Sequence, residues 1–276
     1  MSSYAFKQLD VFSSEPLKGN PLAVVLGADG LTDAQMAAFA RWTNLSETTF
    51  VLTPTTPDAD YRVRIFTTQQ ELPFAGHPTL GTCHAWLEAG GQPKSDVIVQ
   101  ECGVGLVKLR RDRMRLAFAA PPLRKTGEPE PVLLERIANG LGIKRHDVVA
   151  AQWVDNGPGW VAVMLRDREQ VLELKPDYLQ LAGLKLGVVA PWVDGEADFE
   201  VRAFIAGEGM AEDPVTGSLN ASLAQWLIGS GRAPARYVAS QGTVLGRKGR
   251  VFIEQAGADI WVGGTSVTCI EGHVAL

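Results

Sequence analysis

The chain has 276 residues, 46% of them hydrophobic and 21% charged, and a net charge of -5. That length suits one large or two medium globular domains, and the acidic balance excludes the basic footprint of a nucleic-acid partner. Three cysteines without metal-ligand spacing exclude a disulfide framework, and no apolar run is long enough for a membrane span. No basic-then-apolar leader opens the chain, so the expectation is a cytoplasmic protein with Cys83, Cys102 and Cys269 reduced.

Ala5–Phe12 alternates as a first strand, Lys18-Gly19-Asn20-Pro21 reads as a turn, and Leu22–Leu26 as a short apolar strand. Thr32 with Gln35 makes a capping box, opening a helix that places Met36, Phe39, Ala40 and Thr43 on one face and ends near Asn44. A loop through Glu47 turns into the β-branched and aromatic strand that ends at Leu52, and Tyr61–Phe66 is a further strand. Glu71–Gly90 follows, with Pro78 in the first turn of a helix, His77 at its cap, and Gly90-Gly91 at its close. Asp96–Gln100, Gly105–Arg110 and Arg113–Phe118 form a meander. Ala119–Pro131, rich in proline and charge, is the linker.

Beyond it the order of elements returns. A helix spans about Val132–Leu141, with strands at Val148–Val154 and Trp160–Leu165 and a short helix near Pro176–Ala182. Strands follow at Leu186–Val193 and Phe199–Phe204, and Glu208–Glu212 leads into a second long helix. The tail offers strands at Thr243–Leu245, Arg250–Gln255 and Asp259–Val262, with a last apolar piece near Val267–Ile270. Val63-Arg64-Ile65-Phe66 and Val201-Arg202-Ala203-Phe204 share their lettering. Asp213-Pro214-Val215-Thr216-Gly217-Ser218 repeats the form of His77-Pro78-Thr79-Leu80-Gly81-Thr82. An internal repeat outranks other signals, because missing it misassigns the fold. Here it predicts two similar halves, with two proline-started helix N-termini bracketing one small anion. Trp86, Leu87, Trp226 and Leu227 read as core.

No Walker loop, dinucleotide fingerprint, metal cluster or GxSxG elbow is present, and Gly103-Val104-Gly105 reads as a turn. Proton chemistry remains, with Glu47, His77 and Asp213 as candidates. Glu47 lies where an apolar helix meets an apolar strand, and partial desolvation there would raise its pKa toward a range useful for proton transfer. The matching place near Leu186-Gly187-Val188 holds no acid, which points to a single acid/base group.

Taken together, several segments resemble the PhzF-like family of phenazine-biosynthesis isomerase-like proteins. They are Gly19–Val25, Leu45-Ser46-Glu47-Thr48-Thr49-Phe50-Val51, Arg64-Ile65-Phe66, Glu71–Gly81, Arg202-Ala203-Phe204, Glu212–Ser218, Gln241-Gly242 and Gly246-Arg247. The resemblance implies an α+β, diaminopimelate-epimerase-like fold: two pseudo-symmetric lobes, each a curled, mostly antiparallel sheet around a central helix, with the site in the cleft between them. The expected division is residues 1–120, a linker at 121–131, and 132–276, with the last strand free to join the first lobe. It further implies a cofactor-independent isomerase of a small carboxylate, without nucleic-acid or membrane partners, and homodimeric as relatives often are. Glu47 would move the proton, His77 and Asp213 would position substrate and shape the proton path, and Ser218 with the amides around Gly76 and Gly217 would hold its carboxylate. Epimerases of this fold use a cysteine at each lobe's helix start, and none precedes Pro78 or Pro214 here. The remaining alternatives are a non-thiol epimerase or racemase of an amino or hydroxy acid, and a non-catalytic protein that binds a small acid.

Overall fold

The computed structural model describes residues 2–112, 114–206 and 211–276. Arg113, in an expected strand, and Glu208, Gly209 and Met210, in the expected lead-in to the second long helix, lie outside them. The chain divides into two compact units, Met1–Ala119 with Gly263–Leu276, and Ala120–Val262. The first contains β1 (Ser3–Val11), β2 (Asn20–Leu26), α1 (Asp33–Thr43), β3 (Thr48–Leu52), β4 (Tyr61–Phe66) and β5 (Glu71–Leu72). It continues with α2 (Gly76–Glu88), β6 (Ile98–Cys102), β7 (Gly105–Asp112) and β8 (Arg115–Ala119). The second contains α3 (Pro131–Leu141), β9 (Ala150–Trp153), β10 (Trp160–Met164), α4 (Arg168–Glu173), β11 (Lys185–Pro191) and β12 (Phe199–Phe204). After these come β13 (Glu212–Asp213), α5 (Gly217–Gly229), β14 (Arg236–Gln241) and β15 (Gly249–Ala256). The last strand, β16 (Asp259–Ala275), begins in the second unit and ends in the first.

In the first unit β1 pairs antiparallel with both β2 and β16, and the sheet continues through β3, β4, β6, β7 and β8. Parallel pairing of β2 with β3, Ala23 opposite Thr48, requires a crossover, which α1 supplies. The expected capping box starts that helix: the Gln35 N–H donates to Thr32 Oγ1 and the Thr32 N–H to Gln35 Oε1. Met36, Phe39 and Ala40 are its buried face. α2 is apolar nearly all round and packs on β1, β2, β3 and β8, so the sheet curls about it. In the second unit β9, β10, β11, β12, β14 and β15 stand in that order, and α5 packs on both β10 and β15. Both units are thus mostly antiparallel sheets around one central helix.

Three expectations for local structure are corrected. The short helix of the second unit is Arg168–Glu173, started by the Asp167 side chain accepting from the Gln170 N–H; Pro176–Ala182 forms turns instead. Thr243–Leu245 is one 3₁₀ turn between Gly242 and Gly246, whose φ values of 93° and 71° exclude an extended strand. The tail is a single strand, not two pieces.

The repeat is real, but its register differs from the expected one. β5 adds to β4 with Glu71 opposite Phe66, and β13 adds to β12 with Glu212 opposite Phe204. Glu71 therefore matches Glu212, and Glu71-Leu72-Pro73-Phe74-Ala75-Gly76-His77 matches Glu212-Asp213-Pro214-Val215-Thr216-Gly217-Ser218. Gly76 and Gly217 each open a central helix of 13 residues. A Cβ on Gly103 would lie 2.7 Å from Pro73 Cα, and one on Gly242 would lie 2.7 Å from the Pro214 carbonyl oxygen. Pro214 is therefore the partner of Pro73, not of Pro78, and it precedes its helix instead of starting it. The counterpart of His77 is Ser218, and that of Asp213 is Leu72.

Candidate active site

Glu47 is the last residue before β3, Asn20 the first of β2, and His77 the second of α2, with Ala75 and not His77 as the cap. Parallel pairing brings the starts of β2 and β3 to the same edge, and α2 begins beside them. His77 Nε2 lies 3.4 Å from Glu47 Oε2, with side-chain exposures of 5% and 16%. Asn20 Nδ2 lies 3.4 Å from Nδ1 on the other side of the ring. A hydroxyl brace holds the arrangement: Thr82 on α2 donates to Thr49 Oγ1 at 2.8 Å, and Thr43 and Thr48 hydroxyls meet at 2.9 Å across the Glu47 turn.

Burial pushes the His77 pKa down to about 3, with a backbone hydrogen bond at Pro21 opposing it. The imidazole is therefore neutral at pH 7, and its contact with Glu47 is between a carboxyl group and a neutral ring, not an ion pair. Between the ordinary histidine value and about 3, the unfolded chain binds a proton that the native ring refuses. Stability then falls as pH drops through this window, by about 1.4 kcal/mol per pH unit from this group. Urea unfolding at stepped pH is expected to show that slope in the parent and lose about one proton's worth of it in His77→Gln.

The register matches Glu47 to Lys185, since Thr48 and Leu186 each face the phenylalanine that closes the next strand, Phe66 or Phe204. The first unit's carboxyl group thus has no acidic counterpart at that position. Cys83 lies inside α2, with burial pushing its thiol up to about 12, so it is not the helix-start thiol of a two-cysteine racemase.

Both central helices lack a side-chain cap, at Ala75 and at Thr216, whereas α1 and α4 are capped by Thr32 and Asp167. An uncapped first turn keeps N–H donors and the positive end of the helix dipole available to a carboxylate. Gly76 and Gly217 are the first helical residues there, and both are buried. Ser218 follows Gly217, and its Oγ accepts from Trp160 Nε1 at 3.0 Å. Asp213, on β13, accepts at Oδ2 from the Thr216 hydroxyl at 2.6 Å. Within the first unit the structure thus brings Glu47 and His77 together. Within the second it places Asp213, Gly217 and Ser218 along one short connector.

The sequence reading missed Asn20, left in a turn, and the buried Gln241, whose Nε2 donates to Thr216 Oγ1 and to the Asp213 carbonyl. Gly19 carried the signal for Asn20: a Cβ there would lie 2.3 Å from the Val11 carbonyl oxygen, so the turn holds Asn20 at one fixed place. Among the described residues no group of three or more His, Cys, Asp or Glu side chains could hold a metal ion. No helix among them is long and apolar enough to cross a membrane.

A family model described as phenazine biosynthesis-like protein, PhzC-PhzF, matches residues 9–272. The chain belongs to this family. It is 37% identical over 293 residues to antisense-enhancing sequence 1 of Schizosaccharomyces pombe, covering 99% of each chain. It is 34% identical over 278 residues to trans-2,3-dihydro-3-hydroxyanthranilate isomerase of Pseudomonas aeruginosa, covering 97% of this chain and 98% of that one. The crystal structure of a PhzF family protein of Enterococcus faecalis superposes with a TM-score of 0.83 at 26% identity, covering 100% of both chains. The PhzF-like chain is accordingly an enzyme of the isomerase class.

Proposed function

We propose that this PhzF-like enzyme isomerises a small carboxylate without a cofactor, Glu47 taking a proton from one substrate carbon and returning it to another. The observation that carries the reading is the 3.4 Å contact between the mostly buried Glu47 carboxyl group and an imidazole that burial keeps neutral. According to its tautomer, neutral Nε2 donates to a carboxylate or accepts from a carboxylic acid. It therefore suits both states of a shuttling carboxyl group and places no competing positive charge beside it. The Ser218 hydroxyl and the amides of Gly76 and Gly217 are assigned to the substrate carboxylate, and Asp213 to positioning the substrate. Donors fixed at helix starts stabilise charge that spreads onto that carboxylate as the proton leaves carbon. The reading includes a cytoplasmic location and a homodimer, whose mass light scattering would test.

Incubation in D₂O tests it, with trans-2,3-dihydro-3-hydroxyanthranilate and a panel of small amino and hydroxy acids as probes. The expected result is a shifted double bond, with deuterium at the newly protonated carbon to the extent that the Glu47 carboxyl proton exchanges with solvent before it is returned. Deuterium at one stereocentre with inversion would replace isomerisation by epimerisation. Binding with neither a shifted double bond nor exchange, alike in the parent and in Glu47→Gln, would make the protein a binder.

A further inference from the structure

Thr216 occupies the cap position of α5 and is of a residue type that ordinarily bonds an N–H of the first turn, yet it caps nothing. Its hydroxyl is engaged elsewhere, and the buried Gln241 amide fixes the direction of every proton in the surrounding network. The Thr216 N–H can only donate, and Gln241 Oε1 accepts from it at 3.0 Å and from Asn220 Nδ2 at 2.8 Å. That settles the orientation of the amide. Gln241 Nε2 then donates to the Asp213 carbonyl at 3.0 Å and to Thr216 Oγ1 at 2.9 Å. With Oγ1 already accepting, the single hydroxyl proton of Thr216 goes to Asp213 Oδ2 at 2.6 Å. All of these groups are buried except the half-buried Asp213.

We infer that Gln241 and Thr216 are positioning residues which, through this one-way relay, aim the Asp213 carboxylate and hold it ionised. The inference rests on the reading of Asp213 as a substrate-positioning group. A hydrogen bond delivered to an ionised acceptor is short, strong and favours the charged form. It also fixes Oδ2 at the relay, so the orientation of the carboxyl plane is set by the backbone N–H of the helix start. The first unit has no such device, because its counterparts of Asp213 and Thr216 are Leu72 and Ala75. The asymmetry is therefore built into otherwise equivalent connectors.

The experiment is a carboxyl ¹³C NMR titration of the full chain labelled at aspartate, with Asp213→Asn assigning the signal, alongside deuterium exchange into the probe acids. Thr216→Val removes the hydroxyl and keeps the shape. It is expected to move the Asp213 titration to higher pH and to slow exchange about ten- to hundredfold, the scale of one hydrogen bond to a charged group. Thr216→Ser restores both. Gln241→Glu, which exchanges the donor for an acceptor, is expected to act in the same direction as Thr216→Val. An unmoved titration in Thr216→Val, or equal loss in the valine and serine variants, overturns the relay. Undiminished exchange in Asp213→Asn instead removes the role of Asp213, and the relay's purpose with it.

Discussion

Glu47→Gln is expected to lower the rate of carbon–hydrogen exchange by about 10²- to 10⁴-fold, the contribution of a positioned acid/base group, while binding of the same acid changes little. Glutamine keeps the length, shape and one oxygen of glutamate, so packing against β3 and the contact with His77 survive. What it loses is a site that can take up a proton and give it back. Glu47→Asp keeps the carboxyl group but withdraws it from His77 Nε2, which already lies at 3.4 Å. It is expected to fall between parent and glutamine variant, because proton transfer needs the acid/base group within hydrogen-bond reach of its target. The measurement is single-turnover exchange in D₂O together with calorimetric affinity. Parent-like exchange in Glu47→Gln would remove Glu47 as the proton carrier, and loss of affinity equal to the loss of rate would make it a binding group.

Much of this arrangement was legible in the sequence because local chemistry agreed with tertiary need. The Thr32–Gln35 box, the β-branched run into Leu52 and the two nearly all-apolar helices specify their own structures, and the last of these require a sheet around them. What misled was the lettering of the repeat. His-Pro and Asp-Pro look equivalent in one dimension, but the equivalence is fixed by which residue faces the phenylalanine of the neighbouring strand, a pairing that local patterns do not report. The spacing Glu-x-Pro-x-x-Gly, present at Glu71–Gly76 and at Glu212–Gly217, is the signal that would have found it. Gln241 escaped for a related reason. Its partners Asp213, Thr216 and Asn220 stand 21 to 28 positions away, and only the parallel pairing of β12 with β14 sets it beside the connector.

The matched letters Arg64 and Arg202 should differ sharply when removed. Each guanidinium grips its matched glutamate with Nε and one terminal nitrogen, Arg64 on Glu71 and Arg202 on Glu212. Arg64 also reaches Asp33, but at 17% exposure, with partners more open still, water screens the cluster. Arg202 and Glu212 have side chains only 4% and 6% exposed, and Arg202 Nη1 further donates to the Val171 and Leu174 carbonyls at the end of α4. Arg202→Ala therefore strands a buried carboxylate and two carbonyls and should cost about 3–5 kcal/mol of stability, read from urea unfolding. Arg64→Ala should cost a small fraction of that. Desolvation dominates the larger figure, so the double change Arg202→Met with Glu212→Leu should recover much of the loss. Recovery cannot be complete, because the α4 carbonyls remain without their donor. Equal losses at Arg64 and Arg202 would mean that the shared lettering, and not the depth of burial, sets the energetics. The Arg202 pair also anchors β13, which carries Asp213, so exchange activity in Arg202→Ala should fall further than the unfolded fraction accounts for.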